Sequence, residues 1–287
     1  MSAAPRAITV FTHHNPAQTA PSLRLLLDLA REAGVEVRLP AAEVEKHALA
    51  PEAEGAVLGA DPEGETDLAV VLGGDGTILS TLRLYTGRDV PVFAVNYGAI
   101  GFLSTVEHAD LEEGLRHALA GEFDVLELPA LAAATGAGEA LAYNDISFHR
   151  RHNGRVAELA YSVAGEQLGE VRCDGLVVST PAGSTGYNLA NAGPVLAWGV
   201  EGYVVSFIAP HTLTARALVV APDDELEVTN RSEDAPVDMT ADGQAVAELG
   251  EQGAIRIRFV QGRALLAQAP GATFYHRLRD KFGRLAY

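Results

Sequence analysis

A buried strand that runs into a glycine-rich corner is the feature that most constrains how this chain can fold. Residues 68–72 are continuously apolar, residues 73–77 read Gly-Gly-Asp-Gly-Thr, and residues 78–85 have helical spacing. The pattern predicts a strand, a tight turn and a helix N-terminus. Such a corner suits phosphate, because backbone N–H groups and the helix dipole face the ligand. Asp75 conflicts with that role unless its carboxylate holds a metal ion or accepts a proton, which suggests catalysis.

Charge and composition exclude several classes of protein. The formal net charge is -17, so a nucleic-acid or anionic membrane surface is not expected. Lys46 and Lys281 are the only lysines, and neither lies in a glycine-rich loop, which excludes a P-loop. Cys173 is the only cysteine, so no disulfide framework or cysteine-based metal site is expected. No signal peptide or spanning apolar run is visible, and we expect a cytoplasmic protein.

The first part of the chain predicts an α/β domain. Strand-like runs at 7–11, 35–39, 68–72 and 90–95 alternate with helix-like runs at 20–33, 43–49, 77–85 and 108–120. The alternation predicts an open, mostly parallel, Rossmann-like sheet over residues 1–122. In such a sheet, ligands bind beyond the carboxyl ends of the strands, where residues 73–76 fall.

The pattern of apolar and polar residues changes after residue 122. Period-two runs at 225–228 and 255–259 are separated by turn residues, including those at 153–154, 222–223 and 242–243. They predict an all-β domain over residues 123–270, with an Ala/Gly loop at 132–140. Helical spacing at 274–282 predicts that residues 271–287 form a C-terminal helix that packs on the first domain.

Two further segments carry polar chemistry. Residues 174–188 read as a strand that runs into a loop of glycines and hydroxyls, with a helix starting at Tyr187. Hydroxyl and N–H groups suit ribose and phosphate oxygens, and the Tyr187 ring can stack on a base. A β-domain corner with Asx and ST turns is an equally good interpretation. Asn144 and Asp145 could hold a ribose diol, although an Asn-Asp pair is usually an ordinary turn.

The ordered set of motifs resembles the NAD kinase family across nearly the whole chain. The matching segments are residues 73–77, 96–103, 144–145, 174–188, 210–213, 242–244 and 277–283. The resemblance implies phosphoryl transfer from ATP or polyphosphate to the adenosine ribose 2′-hydroxyl of NAD, which gives NADP. It also implies Mg²⁺ or another divalent cation, since phosphoryl transfer requires charge neutralisation, and a homo-oligomer, either a dimer or a tetramer.

Residue roles follow from the same resemblance. Asp75 would be the general base, and Asn144 and Asp145 would hold the nicotinamide ribose and carboxamide end. Arg172, Asp174 and residues 185–190 would line the dinucleotide groove, with Gln244 near its rim. The remaining expected binding residues are Gly73, Gly74, Gly76, Asn96, Phe102, Ala182, Thr185, Gly186, Tyr187, Asn188, Leu189 and Ala190.

This chain departs from the family pattern at two places. Asp145 stands where many relatives carry glutamate, so its carboxylate lies about one methylene nearer the backbone. Residues 191–194 read Asn-Ala-Gly-Pro in place of the commoner Ala-Gly-Gly-Pro, which bears on where the helix after Tyr187 begins.

Two other functions share part of the pattern. Lipid kinases of the diacylglycerol and sphingosine type carry a similar first glycine loop, but should lack the segments at 144–145 and 174–188. A non-catalytic NADP-binding regulator could keep the same fold, although Asp75 argues against it.

Several reactive side chains have simpler interpretations. His13 and His14 read as loop residues, although the resemblance implies that this loop faces the nucleotide and could contact a phosphate. His211 reads as structural or near the groove. Cys173 reads as a free strand thiol, and the arginines at 256 and 258 as a solvated strand face. Residues 277–281 read as a packing helix with an exposed basic side.

Overall fold

The computed structural model describes residues 3–49, 55–98, 101–151 and 156–283. The chain forms two compact units: Met1–Glu127 with Ala264–Tyr287 (unit 1), and Leu128–Arg263 (unit 2). The domain limits at residues 122 and 270 stay predictions. The turn predicted at residues 153–154 lies outside the described residues, as do residues 99 and 100 of the motif at residues 96–103.

Unit 1 begins with alternating strands and helices. In chain order they are β1 (Ala7–Thr12), α1 (Pro16–Ala33), β2 (Glu36–Pro40), α2 (Ala41–Lys46), β3 (Ala56–Ala60), β4 (Leu68–Gly73), α3 (Asp75–Leu84), β5 (Pro91–Asn96), β6 (Val106–Glu107) and α4 (Leu111–Ala120). A single 3-10 turn, His108–Asp110, precedes α4. The strand β7 (Asp124–Thr135) then leads into unit 2.

The parallel sheet of unit 1 has a topological switch point beside the glycine corner. Its strand order is β3-β2-β1-β4-β5, with β6 beside the end of β5. The chain winds outward in one direction from β1 and in the other from β4, so a crevice forms where the carboxyl ends of these two strands meet. β4 is fully buried, as its continuous apolar run predicts.

Unit 2 is built from antiparallel strands. After β7 they are β8 (Gly138–Ala142), β9 (Asp145–Arg150), β10 (Ala157–Val163), β11 (Glu166–Cys173), β12 (Gly175–Ser179), the short helix α5 (Tyr187–Ala190), β13 (Tyr203–Ile208), β14 (Leu218–Val220), β15 (Leu226–Asn230), β16 (Val237–Ala241), β17 (Gln244–Leu249) and β18 (Ala254–Gln268). One sheet has the order β14-β13-β12-β9-β16-β17, and the strands β11-β10-β15-β18 pair in another.

One apolar core lies within each unit. In unit 1, residues such as Val10, Leu26 and Phe93 pack the helices on the sheet. In unit 2, Phe148 of one sheet and Leu226 of the other belong to a single buried cluster, so the two sheets pack face to face. The last strand, β18, pairs with β5 through Leu265 and Leu266, and the helix α6 (Phe274–Phe282) completes unit 1.

These observations confirm the predicted fold class, with two corrections. Residues 132–140 are not a loop, because β7 and β8 form a hairpin there and the alanines at 132 and 133 are buried. The sequence analysis also did not predict β3. Among the described residues, no helix is long and apolar enough to cross a membrane.

Candidate active site

The glycine corner of unit 1 is built by close backbone approach. A side chain at Gly73 would come within 2.8 Å of the Thr77 side chain, and one at Gly74 within 3.3 Å of the Gly98 Cα. The amides of Thr77 and Ile78 donate to the Gly74 carbonyl and start α3. Helix geometry then leaves the first amides of α3, those of residues 75 and 76, directed out of the helix end.

Asp75 is the first residue of α3 and the charged group of this corner. Its Oδ1 accepts the Leu103 amide at 3.4 Å. The segment that carries this amide is held in turn by Arg277 of α6, whose guanidinium donates to the carbonyls of Phe102 (2.9 Å) and Ser104. Burial lowers the pKa of Arg277 to about 10, despite the opposing charges of Glu107 and Asp75. The C-terminal helix therefore supports the residues that contact Asp75.

Asn96 and Phe102 border the same corner in different ways. The buried Asn96 side chain accepts the Gly98 amide at 2.8 Å and donates to Glu107 at 3.0 Å. Gly101, at φ +59°, lies so close to Asn96 that a side chain there would overlap it. The buried Phe102 ring packs on Phe274 and Phe282 of α6. Both side chains are buried, and their contacts support the loop that joins these two residues.

In unit 2 the segment at Asn144 and Asp145 is clamped by Asp242. The Asp242 carboxylate accepts three consecutive backbone amides, from Tyr143 (3.1 Å), Asn144 (2.7 Å) and Asp145 (3.3 Å). The Asp242 amide donates back to the Asp145 carbonyl at 2.9 Å. A carboxylate that accepts several N–H bonds fixes backbone geometry strongly, so Asp242 sets the position of the two predicted ribose ligands.

The carboxyl group of Asp145 is buried beside that clamp. Burial raises its pKa to about 7, and the charge of Asp242 adds to the increase. A carboxyl group that titrates near neutrality can change its hydrogen-bonding role within the physiological range.

The second glycine-rich loop packs directly on this segment. The Thr180 amide and hydroxyl donate to the carbonyls of Asn144 (2.9 Å) and Tyr143 (2.6 Å). A side chain at Gly183 would overlap the Asn144 backbone, with its Cβ at 2.0 Å from the carbonyl oxygen. The structure therefore brings residues 180–190 and the Asn144–Asp145 segment together in one site.

Residues of that loop divide into exposed and internal groups. Gly186 and Ala190 are exposed, and Tyr187 and Leu189 are half-buried. Ala182, Thr185 and Asn188 are buried, and the Asn188 amide donates to the carbonyls of Ser184 and Pro194 at 2.9 Å. The helix predicted at Tyr187 is confirmed as α5, and Ala192 after it adopts a left-handed φ of 57°.

Two further contacts extend the site of unit 2. The Tyr187 ring stacks on His149, with ring centroids 5.7 Å apart, so a flat aromatic surface borders the loop. Asp174 pairs with Arg150 at 2.7 Å. Arg172 is exposed, and its carbonyl accepts the His211 amide at 2.8 Å, while Gln244 is exposed after the turn at residues 242–243. Because these groups are partly exposed, they are available to a ligand.

Four of these residues were not identified from the sequence: Asp242, Arg277, His149 and Arg150. Asp242 and Arg277 fell inside matching motifs, so a supporting role for each could have been suspected. Arg277 is an exception to the predicted exposed basic side of α6, because its guanidinium donates to the Phe102 and Ser104 carbonyls, whereas Arg279 is exposed as predicted. Among the other reactive side chains, Cys173 is a buried free thiol, and burial raises its pKa to about 12. Arg256 and Arg258 are exposed in surface ion pairs, as predicted.

Comparisons with known proteins match this arrangement. Models of the ATP-NAD kinase N-terminal domain and C-terminal domain match residues 39–123 and 143–268. The NAD kinase of Citrifermentans bemidjiense is 34% identical over 286 residues, which cover 96% of this chain and 98% of that protein. The chain belongs to the NAD kinase family. The NAD kinase of Gemmatimonas aurantiaca is 35% identical over 225 residues, 76% of this chain and 77% of that protein. Membership decides against the lipid-kinase interpretation.

Solved structures of NAD kinases share the fold. Yeast NADH kinase, solved with NADH, has a TM-score of 0.85 at 19% identity, with 98% of this chain and 90% of that chain covered. At that identity the likeness shows the fold alone. The NAD kinase from Archaeoglobus fulgidus, solved with ATP, has a TM-score of 0.73 at 27% identity, with 96% and 97% covered.

Proposed function

We infer that this NAD kinase family member transfers a phosphoryl group to the adenosine ribose 2′-hydroxyl of NAD and so makes NADP. The observation that carries the proposal is the carboxylate of Asp75 at the first position of α3, inside a corner shaped for phosphate. Asp75 would repel a phosphate that is only bound there, so its place is explained by a chemical role.

In the proposed reaction Asp75 is the general base. It accepts the hydroxyl proton as the ribose oxygen attacks the terminal phosphorus of the donor, and the bond from that phosphorus to the leaving phosphate oxygen breaks. A sugar hydroxyl is a poor nucleophile, and a positioned base contributes roughly 10²–10⁴-fold to such a step. The Leu103 amide, held through Arg277, orients the carboxylate.

Unit 2 would supply the dinucleotide contacts. Asn144 and Asp145 are fixed by Asp242 and are suited to ribose hydroxyls, because they offer amide and carboxyl groups side by side. The Tyr187 ring, already stacked on His149, offers a flat surface for a base. Arg172, Asp174 and Gln244 complete the proposed groove.

We propose ATP or polyphosphate as the donor, in complex with Mg²⁺. The metal supplies charge neutralisation on the transferred phosphoryl group. Mg²⁺ is usually bound largely through substrate phosphates, so it would enter with the donor at the glycine corner and leave the Asp75 carboxylate to act as the base. We also propose that the protein acts in the cytoplasm as a homo-oligomer.

One coupled assay tests the proposal. Purified protein is mixed with NAD, Mg²⁺ and either ATP or polyphosphate, and NADP is measured with an NADP-specific dehydrogenase. We expect NADP formation in the wild type and, for Asp75→Asn, a fall in kcat of roughly 10²–10⁴-fold with little change in the KM for NAD.

The matched control is Asp89→Asn. Asp89 is exposed and precedes β5, at the amino ends of the strands, so this change should leave kcat as it is. No NADP with either donor would contradict the proposed reaction. Undiminished activity in Asp75→Asn would contradict the role of Asp75.

A further inference from the structure

Helix α6 reaches the glycine corner by a second route, separate from that of Arg277. Lys281, near the end of α6, donates to the Oε1 atom of Glu107 at 2.5 Å. The Oε2 atom of the same carboxylate accepts the side-chain amide of Asn96 at 3.0 Å. The Asn96 side chain in turn accepts the backbone amide of Gly98 at 2.8 Å. A chain of three hydrogen bonds therefore links the helix to the backbone beside the glycine corner.

Strand pairing places Asn96 and Glu107 next to this corner. Asn96 ends β5, where it pairs with Gly73 of β4 on one side and with Glu107 of β6 on the other. The three strands run parallel, so their carboxyl ends lie at the same edge of the sheet, where the glycine corner begins. Asn96 is buried there, with 6% of its surface exposed.

Gly98 lies against the glycine corner itself. A side chain at Gly98 would come within 3.2 Å of the Gly74 Cα and 3.9 Å of the Asp75 nitrogen, so the two backbones are almost in contact. The Tyr97 amide donates to the Gly73 carbonyl at 3.0 Å and ties the same segment to β4. A displacement of Gly98 would therefore change the shape of the corner and the position of its carboxylate.

The carboxylate of Glu107 decides which way the Asn96 amide faces. An asparagine side chain carries an acceptor oxygen and a donor nitrogen, and a half-turn about its last bond exchanges them. A carboxylate only accepts hydrogen bonds, so it selects the orientation in which the Asn96 nitrogen faces Glu107. The Asn96 oxygen is then directed at the Gly98 amide, which requires an acceptor. Without the carboxylate, the reversed amide becomes accessible, and that orientation sets two N–H groups against each other.

Lys281 holds Glu107 in this arrangement. The Glu107 side chain is 49% exposed, so the strand alone would leave it free to change rotamer. The Lys281 side chain is only 18% exposed, and solvent weakens an ion pair less at such a place than on the open surface. The ion pair therefore connects the position of α6 to the orientation of the Asn96 amide.

We propose that Glu107 is a positioning residue for the phosphoryl transfer, because it fixes the Asn96 amide that holds Gly98 against the glycine corner. The inference rests on the proposed function. Asn96, expected from the sequence to bind a ligand, has both polar atoms of its side chain engaged within unit 1. Loss of this support should slow the step at Asp75, since small misplacements of a catalytic group are costly. It should leave binding of the dinucleotide, which is assigned to unit 2, nearly unchanged.

The test exchanges the acid and the amide between the two positions. Asn96→Asp alone sets two carboxylates where a hydrogen bond of 3.0 Å stood, and it should lower kcat about tenfold. Glu107→Gln alone allows either amide orientation and should lower kcat about threefold. In the double variant, the new carboxylate accepts from both Gly98 and the new amide, whose oxygen accepts from Lys281. Its kcat should return to within about threefold of the wild type, well above that of Asn96→Asp.

Other measurements separate positioning from folding. In the coupled assay, the KM for NAD should stay within about twofold of the wild type in each variant while kcat changes. Glu113→Gln is the matched control, because the Glu113 side chain of α4 is 81% exposed and lies 3.8 Å from His117. Its kcat and its Tm without ligand should equal those of the wild type.

A second pair of variants serves if Asn96→Asp does not fold. Lys281→Met should lower kcat about threefold, because Glu107 loses its partner on α6. Combined with Glu107→Gln, it should lower kcat no further than Glu107→Gln alone, since the two residues act through one chain of contacts. Additive losses would contradict that chain.

The outcomes separate this inference from the proposed function. No NADP from the wild type would overturn the proposed reaction, and with it the step that Glu107 assists. If the wild type makes NADP but the folded double variant is no more active than Asn96→Asp, the role of Glu107 is overturned while the reaction stands. A higher KM for NAD at unchanged kcat would overturn it as well, because Asn96 would then act in binding.

Discussion

Asp242 illustrates how a single carboxylate can position a binding segment without binding the ligand itself. We predict that Asp242→Asn raises the KM for NAD roughly tenfold and changes kcat less, because the three amides at residues 143–145 lose a charged acceptor. Asp242 also raises the pKa of Asp145, so the variant should move the acidic limb of the pH profile of kcat/KM for NAD to lower pH.

The control for this prediction is Asp238→Asn. Asp238 lies four residues earlier in the chain, in strand β16, and its carboxylate pairs with Arg151 at 2.8 Å. Its replacement should leave both the KM for NAD and the pH profile near those of the wild type. A purely structural role for Asp242 would raise the KM without moving the profile, and that result would contradict our interpretation.

For single residues, the sequence predicted the features that depend on residues adjacent in the chain. The glycine corner could be identified because a strand, glycines and a helix start follow one another in the chain. The Asp242 clamp could not, because its partners lie 97 to 99 residues away. The His149–Tyr187 stack was missed for the same reason, since only the tertiary fold brings β9 to α5.

At the scale of elements, α6 is a support for the catalytic corner. We predict that Arg277→Met lowers kcat about tenfold and affects the KM for NAD less, because the Phe102 and Ser104 carbonyls lose their donor and Leu103 no longer holds Asp75 in place. The buried carbonyls left without partners should also reduce the free energy of unfolding by about 1–3 kcal/mol. Steady-state kinetics and urea unfolding measure the two effects.

Arg279→Met provides the comparison on the same helix. Arg279 is exposed, with 64% of its side chain accessible, and it contacts His276 and Asp280 of its own helix. Neither kcat nor stability should change appreciably in this variant. Equal kinetic effects of the two substitutions would show that α6 has no specific role at Asp75.

Helix α6 and the hairpin β7–β8 show why a helix or strand is predicted more easily than the set of its residues that is buried. The spacing of residues 274–282 was enough to identify a helix, but not to show that the half-buried Arg277 donates to the Phe102 and Ser104 carbonyls. Alanines 132 and 133 suggested a loop because alanine has little strand preference. They form a buried strand because unit 2 provides a packing partner.

For the whole molecule, alternation of apolar residues was sufficient to predict the fold class. A parallel sheet with a switch point requires strands and helices in alternation, which the first 120 residues show, and an antiparallel unit requires period-two strands with turns. The cavity at the switch point could not be predicted in the same way. Its walls come from four separate segments, at residues 11–14, 40–46, 62 and 74–84, and two of its charged groups, Glu43 and Lys46, pair with each other.

The free energy of unfolding of the whole protein should depend on pH through Asp145. Burial and the charge of Asp242 raise its pKa from 3.8 to about 7 in the folded state. Between these two values the folded protein holds a proton that the unfolded chain has released. The free energy of unfolding contributed by this group therefore decreases as the pH rises through that window and is lowest above it.

Asp145→Asn removes the titration while it keeps the shape of the side chain. A shift of one pKa unit corresponds to about 1.4 kcal/mol. We therefore predict that the free energy of unfolding of the variant, relative to that of the wild type, increases by about 2–3 kcal/mol as the pH rises from 5 to 8. Urea unfolding of both proteins without ligand at several pH values gives this difference. A difference that does not change with pH would mean that Asp145 stays ionised in the folded protein, and that the buried carboxyl group finds stabilising partners that offset both its burial and the charge of Asp242.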